Sequence, residues 1–408
     1  MAHNRYCSVG GYALRMNKFI NKIALWGLLF STAFTGCSGV ASGEPVSAVA
    51  AVIENSSDYK KALETENKEN PEKENTEQEE NTQPETPVPP KEEGAAEPEQ
   101  EPEKKPFDPS LKPNEVGNVL IIMYHHIVEY DTNKNLERSA KDFRSDLERL
   151  YDEGYRLTSM ESLIQNKIEV EPGKSPVVLT FDDGWSTAFS LEETEEGLKP
   201  KKNTAVEIIN TFCDERPDFG KAAIFYINGY QGAFSGAGNL SERFQYLIEN
   251  GYEIGNHTYS HSNLSKLNAE GIQNEIVSLD LFVKDILPDY QMTSFCYPYG
   301  VRPKEELRPL ALKGEFQGKT YEYKWALREG PTKNSAAPNS IKFDPLNVPR
   351  VRGTNNEEMD LWWFLDYYKA NPQLKYISDG EPDVISVPLD RENLVNKESI
   401  GEKTLNIY

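Results

Sequence analysis

Short apolar runs alternate with amphipathic stretches along the chain from residue 119 onward. The apolar runs predict buried β-strands at residues 119–123, 176–180, 221–227, 252–255, 292–297, 323–327 and 347–351. The amphipathic stretches predict helices at residues 140–152, 204–214, 241–250, 269–287 and 357–368. Strands that alternate with helices form a parallel sheet with crossover connections. About seven such units favour an α/β fold of the distorted (β/α) barrel type over an open sheet.

The segment 38–118 departs sharply from this pattern. It is rich in Glu, Pro, Asn and Lys, and residues 44–118 contain 20 acidic and 8 basic side chains. With so few large apolar residues, burial cannot offset the entropy that ordering would cost. The sequence therefore predicts a disordered acidic tether at 38–118, a folded domain at 119–370 and a loosely ordered C-terminal tail at 371–408.

The start of the chain has the pattern of a secretory signal. A basic stretch at 16–22 precedes an apolar run at 23–34, which is too short to span a bilayer comfortably. Residues 34–38 (FTGCS) resemble a bacterial lipobox, in which Cys37 would become the lipidated first residue of the mature protein. We therefore predict a signal and lipoprotein segment at 1–37 and a periplasmic or surface-exposed, lipid-anchored location at the bacterial cell envelope. The alternative is a membrane-anchored or ordinarily cleaved signal in which Cys37 is incidental.

Charge and cysteine content narrow the range of partners. The net charge is −22, and no basic stripe could follow a phosphate backbone, so nucleic acid is excluded as a partner. We expect a monomer that meets a membrane only through its lipid anchor. In the folded part, Cys213 and Cys296 could form a disulfide in an oxidising compartment or remain buried thiols.

Two adjacent carboxylates, Asp182 and Asp183, follow the predicted strand 176–180 and precede Gly184. Neighbouring side chains on an extended chain point in opposite directions, so one carboxylate can bind a metal while the other serves as a base. An Asp-Asp-Gly turn without chemistry is the alternative.

A pair of histidines, His257 and His261, follows the predicted strand 252–255. On a helical turn, a spacing of four residues places both imidazoles on one side, where they can chelate one ion. The chain has only five histidines, which favours a metal site over an ordinary polar pair. Two histidines and one aspartate would leave coordination positions open, as a catalytic metal requires.

Three motifs together resemble the polysaccharide deacetylases, which have a NodB-homology domain and form carbohydrate esterase family 4. These motifs are residues 180–184 (TFDDG), residues 253–258 (EIGNHT) with His261, and residues 298–300 (PYG). The resemblance covers residues 119–370.

This resemblance implies roles for individual residues. Asp183, His257 and His261 would bind a divalent metal, usually Zn²⁺, with Co²⁺ or Ni²⁺ as alternatives. Asp182 would be the catalytic base. In the third motif, Pro298 and Tyr299 would contribute to the substrate site, where the backbone N–H of Tyr299 would face the oxyanion.

The family also uses an acid to protonate the leaving amine, commonly a histidine late in the domain. Here no histidine follows His261, and the other candidates in the folded region are His125 and His126 after the first predicted strand. This arrangement resembles the circularly arranged branch similar to poly-N-acetylglucosamine deacetylases, in which an early Tyr-His motif supplies the acid. We predict His125 as the acid, with His126 as its support or the alternative.

A second departure from the family pattern is Cys296, where many relatives carry an arginine that steadies the base. Arg350 or Arg352 could supply that positive charge, and surface arginines are the alternative. Nearby, the aromatic cluster 362–364 with Tyr367 and Tyr368 has helical spacing and predicts core packing rather than a sugar platform.

Residues and resemblance together predict a metal-dependent hydrolase that removes N-acetyl groups from an amino-sugar polysaccharide at the cell envelope. Two alternatives stay open at this point. One is an esterase that removes O-acetyl groups from a polysaccharide. The other is a non-catalytic carbohydrate-binding envelope lipoprotein, against which the complete Asp-Asp and His-His set argues.

Overall fold

The structure is a computed structural model that describes residues 106–229 and 233–408. Its strands are β1 (Leu120–Tyr124), β2 (His126–Val128), β3 (Glu137–Ser139), β4 (Tyr155–Leu157), β5 (Ser175–Asp182), β6 (Leu191–Thr194), β7 (Gly197–Pro200), β8 (Ile224–Ile227), β9 (Glu253–Asn256), β10 (Ser294–Cys296), β11 (Lys313–Phe316), β12 (Lys319–Glu322), β13 (Trp325–Glu329), β14 (Val348–Arg352), β15 (Val384–Val387) and β16 (Thr404–Ile407). The predicted signal segment 1–37 with Cys37, and the tether as far as residue 105, lie outside the described residues.

Helices connect many of these strands. The α-helices are α1 (Ala140–Asp152), α2 (Met160–Ile164), α3 (Ala205–Glu215), α4 (Leu240–Glu249), α5 (Ala269–Ile286) and α6 (Leu361–Ala370). Short 3-10 helices occur at Pro109–Leu111, Pro217–Phe219, Leu264–Lys266, Pro298–Gly300, Glu305–Ala311, Pro372–Leu374 and Leu389–Leu394. Over the described part of the chain, no helix combines the length and the apolar character needed to cross a bilayer.

Seven parallel strands close into a barrel in the order β1-β14-β13-β10-β9-β8-β5. The ring closes because β1 pairs with β14 on one side and with β5 on the other. Strand β4 lies outside the ring, along the first half of β5. Each of the seven predicted apolar runs corresponds to a strand of this ring, so the predicted distorted (β/α) barrel is confirmed.

Side chains on the barrel strands alternate between the lumen and the surrounding helical layer. Ile121 packs with Val178, Ile224 and other residues from strands around the ring, which can meet only in the lumen. The next residue, Ile122, belongs to the outer cluster that includes Phe143 of α1. The two-residue period of an extended chain therefore produces both hydrophobic layers.

The same alternation carries polar residues into the lumen. Thr180 and Asp182 on β5 share the inward parity of Val178, and Arg350 on β14 shares that of Val348. Because all seven strands run in the same direction, their C-terminal ends meet at one mouth of the barrel. Asp182, the last residue of β5, therefore lies inside that mouth.

Side-chain caps explain where several of the helices begin. Ser139, Thr204, Asn239 and Asn268 precede α1, α3, α4 and α5, and each accepts a hydrogen bond from the backbone N–H three residues later. These caps place the helix starts within one residue of the predicted positions.

Both predicted boundaries of the folded domain need correction. Val116 lies within the predicted tether but is buried with Ile385, Val387, Val395 and Ile400, all from the predicted loose tail. The tail also contains the parallel pair β15–β16. Apart from the short run 384–387, its apolar residues are scattered, and they become a core only when they pack with Val116, which is distant in sequence.

Two hairpins also escaped prediction. Strands β6 and β7 pair antiparallel between β5 and α3, and β11 and β12 do so before β13. Both are short and largely exposed, so they lack the apolar alternation that indicates a half-buried strand.

The buried carboxyl of Glu115 holds the tail against the start of the domain. It accepts hydrogen bonds from the backbone N–H of Ser386 at 2.8 Å and from the hydroxyl of Tyr376 at 3.1 Å. Burial, and next the nearby charge of Asp379, raises the pKa of Glu115 to about 8.

We expect Glu115 to lower the stability of the domain as the pH rises from about 4.5 to about 8. In this window the folded chain keeps a proton on Glu115 that the unfolded chain has lost, since the ordinary pKa is 4.5. The free energy of unfolding should therefore fall by about 1.4 kcal/mol per pH unit from this group. Urea denaturation of wild type and Glu115→Gln across the window measures the difference in slope.

Glu398→Gln is the matched control, because Glu398 is an exposed acid in the same tail. This control should keep the full pH dependence of the wild type. Identical slopes for wild type and Glu115→Gln would contradict the assignment.

Candidate functional site

The turn that follows β5 directs its two carboxylates differently. Asp182 ends the strand, whereas Asp183 and Gly184 have φ values of 72° and 69°, in the left-handed region. A non-glycine residue pays a strain cost there, and such residues are concentrated at functional sites. At position 184 a Cβ atom would lie 3.2 Å from the Cβ of Ala233 and 3.3 Å from the Cγ2 of Ile227, so a glycine fits best.

Arg350 binds the buried carboxylate of Asp182 through two hydrogen bonds. Its Nη1 and Nη2 donate to the two carboxylate oxygens at 2.7 and 2.6 Å, and Nη1 also donates to the Oγ1 of Thr180 at 2.9 Å. Burial alone would raise the pKa of Asp182, but the charge of Arg350, followed by that of His257, holds it well below its usual range. Asp182 is therefore kept ionised.

Of the two arginines considered from the sequence, only Arg350 reaches Asp182. Arg352 instead forms ion pairs with Asp360 and Glu357 at the rim of the barrel. Arg350 therefore provides the positive charge that the position of Cys296 lacks.

Asp183, His257 and His261 converge on one point. The Oδ1 of Asp183 lies 3.5 Å from the Nε2 of His257 and 3.4 Å from the Nε2 of His261. Candidate ligand atoms of all three residues lie within 4.8 Å of one another. Within the described part of the chain, the Oδ1 of Asp183 is buried and has no hydrogen-bond partner. A carboxylate oxygen left unpaired between two imidazole nitrogens fits a bound cation.

The orientation of His257 supports the same interpretation. Its Nδ1 lies 2.8 Å from the carbonyl oxygen of Cys296, which leaves Nε2 directed toward Asp183. Such a backbone contact on the second ring nitrogen is the usual way that a metal-binding histidine is oriented. Burial lowers the pKa of His257, which favours the neutral form that a ligand requires.

Asp182, His257 and Cys296 also lie close together, but they are a poorer candidate for a metal site. Both carboxylate oxygens of Asp182 already accept hydrogen bonds from Arg350. Burial also raises the pKa of the Cys296 thiol well above its usual value, which disfavours the thiolate that binds metals.

The two histidines lie on an irregular loop, so the expectation of a helical turn was wrong. Thr258 and His261 have φ values of 63° and 51°, which an α-helix does not allow. The side chain of Asn256 accepts a hydrogen bond from the N–H of Thr258 at 2.9 Å, and Asn228 donates to the carbonyl oxygen of His257 at 2.9 Å. These contacts fix a loop conformation that local sequence spacing does not encode.

Glu275 on α5 holds the other side of this loop. Its carboxylate accepts hydrogen bonds from the backbone N–H of Ser260 and from the hydroxyl of Ser262, both at 2.8 Å. Its carbonyl oxygen accepts the N–H of Tyr259 at 3.1 Å. These hydrogen bonds hold residues 259, 260 and 262 on either side of His261, and no sequence pattern indicated the role of Glu275.

The two early histidines have different surroundings. The Nε2 of His125 lies 3.9 Å from the Oδ2 of Asp182, too far for a hydrogen bond but on the same side of the site. His126 instead contacts the Oγ1 of Thr187 at 3.3 Å through its Nδ1. Burial, followed by the charge of His125, lowers the pKa of His126. His125 therefore faces the carboxylates, and His126 forms part of the wall.

Trp185 is a site residue that the sequence interpretation missed. Its Nε1 donates to the Oδ2 of Asp183 at 3.0 Å, and its ring lies 4.3 Å from that of His126. The only available signal was its position directly after Gly184. Its hydrogen bond occupies one oxygen of Asp183 and leaves the other free for a ligand.

The turn Pro298–Gly300 closes the opposite side of the site. Tyr299 has a φ of 60°, and its ring lies 4.4 Å from that of His261. The side chain is 60% exposed at the mouth, whereas Pro298 is buried. The structure thus brings this motif next to the histidine loop.

The remaining residues considered from the sequence are the two cysteines and the aromatic cluster. Cys213 and Cys296 are both free and buried, so no disulfide forms between them. Phe364 and Tyr368 are buried in the outer core, which confirms core packing for the aromatic cluster.

Comparison with known proteins finds similarity to polysaccharide deacetylases. A family model described as polysaccharide deacetylase matches residues 169–314. YxkH of Bacillus subtilis strain 168, which carries the provisional name of a polysaccharide deacetylase, is 26% identical over 227 residues, covering 54% of this chain and 71% of its own length.

Solved structures show more distant similarity. The deacetylase PplD of Streptococcus pyogenes, in complex with acetate, is 19% identical and is matched over 62% of this chain and 98% of its own, with a TM-score of 0.45. IcaB from Ammonifex degensii is 16% identical over the same shares, with a TM-score of 0.42. Residues 169–314 thus match the polysaccharide deacetylase model, and the similarity to YxkH extends beyond them; both support a hydrolase that acts on carbon–nitrogen bonds other than peptide bonds.

Proposed function

We propose that this protein is a metal-dependent deacetylase that removes N-acetyl groups from an amino-sugar polysaccharide at the cell envelope. The observation that carries the proposal is that two adjacent carboxylates have different binding partners. Asp182 is held ionised by Arg350, whereas Asp183 presents an unpaired buried oxygen to His257 and His261. One carboxylate is thus suited to accept a proton and the other to bind a cation.

The donor set fits a divalent transition metal. Two imidazoles and one carboxylate are typical ligands of a catalytic Zn²⁺, and Co²⁺ or Ni²⁺ can occupy similar sites. Asp183, His257 and His261 would hold the ion. When bound, such a metal supplies Lewis acidity, which activates water at neutral pH and polarises an acyl oxygen.

The surrounding residues would carry the proton transfers. Asp182 is ionised and can take a proton from the attacking water. His125, 3.9 Å from Asp182, is placed to donate a proton to the sugar nitrogen as the amide bond breaks. The backbone N–H of Tyr299 would stabilise charge that develops on the acetyl oxygen.

The proposed location depends on the start of the chain. A lipid on Cys37 would anchor the protein at the bacterial cell envelope, and the acidic segment that follows would let the domain reach its polysaccharide. The basic residues 16–22 and the apolar run 23–34 support this location.

Acetate release from a panel of polymers tests the proposed reaction. We expect release from N-acetylglucosamine oligomers, poly-N-acetylglucosamine fragments or peptidoglycan, with little from acetylated xylan. A chelator should abolish the release and added Zn²⁺ should restore it. Release from acetylated xylan alone, or release that survives removal of all bound metal, would contradict the proposal.

A variant of the ligand set provides a measurement that does not depend on turnover. His257→Ala should weaken Zn²⁺ binding by more than the roughly 10- to 100-fold typical of residues outside the ligand shell. His126→Ala is the matched control and should retain the wild-type affinity. Equal zinc affinity in wild type and His257→Ala would exclude this site.

The role of His125 can be tested with two substrates of different leaving groups. An amide nitrogen must be protonated to leave, whereas the phenolate of an activated acetyl ester leaves without help. His125→Ala should therefore lower N-deacetylation by about 10²- to 10⁴-fold and ester cleavage far less. His126→Ala should not separate the two activities. Equal losses on both substrates in His125→Ala would contradict the role.

We expect Glu275 to support metal binding by holding the loop that carries His257 and His261. Without its carboxylate, the left-handed conformation at His261 loses its anchors at Ser260 and Ser262. Glu275→Ala should weaken Zn²⁺ binding by about 10- to 100-fold, and Glu275→Gln should restore part of the loss. Competition with a chromophoric chelator measures both affinities.

The control for this measurement is Glu270→Ala, an exposed acid on the same helix. It should leave the zinc affinity unchanged. The same affinity in Glu275→Ala and wild type would show that the loop keeps its shape without this contact.

A further inference from the structure

A relay of hydrogen bonds links the helical layer outside the barrel to the loop that carries His257 and His261. The relay begins at Asp280 on α5, passes through the hydroxyl of Tyr323 and ends at the side-chain amide of Asn256, the last residue of β9. All three side chains of the relay are buried. The reaction as proposed above does not use them.

The inner end of the relay is the amide of Asn256, which immediately precedes His257. Its Oδ1 accepts the N–H of Thr258 at 2.9 Å, while its Nδ2 donates to the carbonyl oxygen of Ile276 at 3.0 Å and to the hydroxyl oxygen of Tyr323 at 2.9 Å. Thr258 has a φ of 63°, a strained value that persists only where the surroundings enforce it. Contacts that keep the amide in this orientation therefore also hold the backbone around His257.

The outer end of the relay fixes the direction of these hydrogen bonds. An ionised carboxylate can only accept, and Asp280 accepts one hydrogen bond from Lys284 at 3.0 Å and one from the hydroxyl of Tyr323 at 2.6 Å. Burial, followed by the charge of Asp280, raises the pKa of Tyr323 well above its usual value, so the phenol keeps its proton. Because this proton points to Asp280, the oxygen of Tyr323 can accept the N–H of Asn256. The amide cannot turn round without facing two N–H groups toward each other.

We infer that Asp280 and Tyr323 are positioning residues for the metal site, because they hold Asn256 in the orientation that shapes the loop of the two histidines. The inference rests on the proposed function and extends it to two side chains that touch neither the reacting atoms nor the ligand atoms. Groups that orient metal ligands contribute to metal affinity without binding the ion.

The zinc affinity of full-length protein, measured by competition with a chromophoric chelator, tests the inference. Tyr323→Phe removes the hydroxyl and keeps the buried ring, so we expect the Zn²⁺ affinity to fall by about three- to tenfold, the equivalent of one net hydrogen bond. Asp280→Ala should cause a loss of similar size. Asp280→Asn should retain part of the affinity, because its amide oxygen can still accept the hydroxyl of Tyr323.

The losses from the two positions should not add, because both residues act through the same contact with Asn256. The double variant Tyr323→Phe with Asp280→Ala should lose no more affinity than the weaker of the two single variants. A loss equal to the product of the two single losses would overturn the relay, since it would show that the side chains act separately.

Tyr321→Phe is the matched control. Tyr321 is another buried tyrosine of the same segment, its ring lies 5.8 Å from that of Tyr323, and its hydroxyl donates to the carbonyl oxygen of Leu310. This variant also loses one buried hydrogen bond, so urea denaturation should show a similar decrease in stability, whereas the Zn²⁺ affinity should stay at the wild-type value. Equal losses of affinity in Tyr321→Phe and Tyr323→Phe, or no loss in Tyr323→Phe, would overturn the inference.

Amide hydrogen exchange on metal-free protein separates failure of the relay from failure of the proposed function, because it needs neither turnover nor a bound ion. Exchange over residues 256–262 should be faster in Tyr323→Phe than in wild type and in Tyr321→Phe. Faster exchange supports the relay even if the protein binds no zinc or releases no acetate, in which case the proposed function fails alone. Unchanged exchange over this segment would overturn the relay.

Discussion

The ion pair between Arg350 and Asp182 inside the barrel is the constraint on which the site depends. A buried charge left without its partner costs about 3–5 kcal/mol, so β14 and β5 must bring both groups to the same level of the lumen. The ring closes between these strands through β1, which pairs with each of them. Closure of the barrel therefore also brings Arg350 to Asp182, and this contact keeps the carboxylate ionised. The adjacent Asp183 is free of this pairing because its left-handed backbone turns its carboxylate toward the histidines.

Much of the fold was predictable because the barrel strands and main helices are locally consistent. Each ring strand is a short apolar run, and capping residues mark the start of several helices. The small core around Val116 and Ile385 was not predicted, because Val116 lies far in sequence from the tail residues with which it packs. Secondary structure that depends on long-range packing leaves little trace in a local pattern.

The site was predictable to the extent that its motifs are contiguous. Asp182, Asp183, His257 and His261 come together as expected. The contiguous motifs do not determine whether Arg350 or Arg352 reaches Asp182. Both have the same parity on β14, so the stagger of strands around the barrel decides which guanidinium meets Asp182. Glu275 and Trp185 act through contacts with the loops, and neither belongs to a periodic pattern.

The strap formed by residues 106–118 and the C-terminal tail has a consequence for access. Asn118 lies two residues before β1, and Glu115 accepts a hydrogen bond from the backbone N–H of Ser386 in the tail, so the strap lies where the barrel strands begin. The carboxylates and imidazoles lie where the strands finish. Residues 106–118 thus enter the domain at the N-terminal end of the barrel, whereas the candidate site opens at its C-terminal end. Residues 106–118 therefore lie at the end of the barrel opposite to the candidate site.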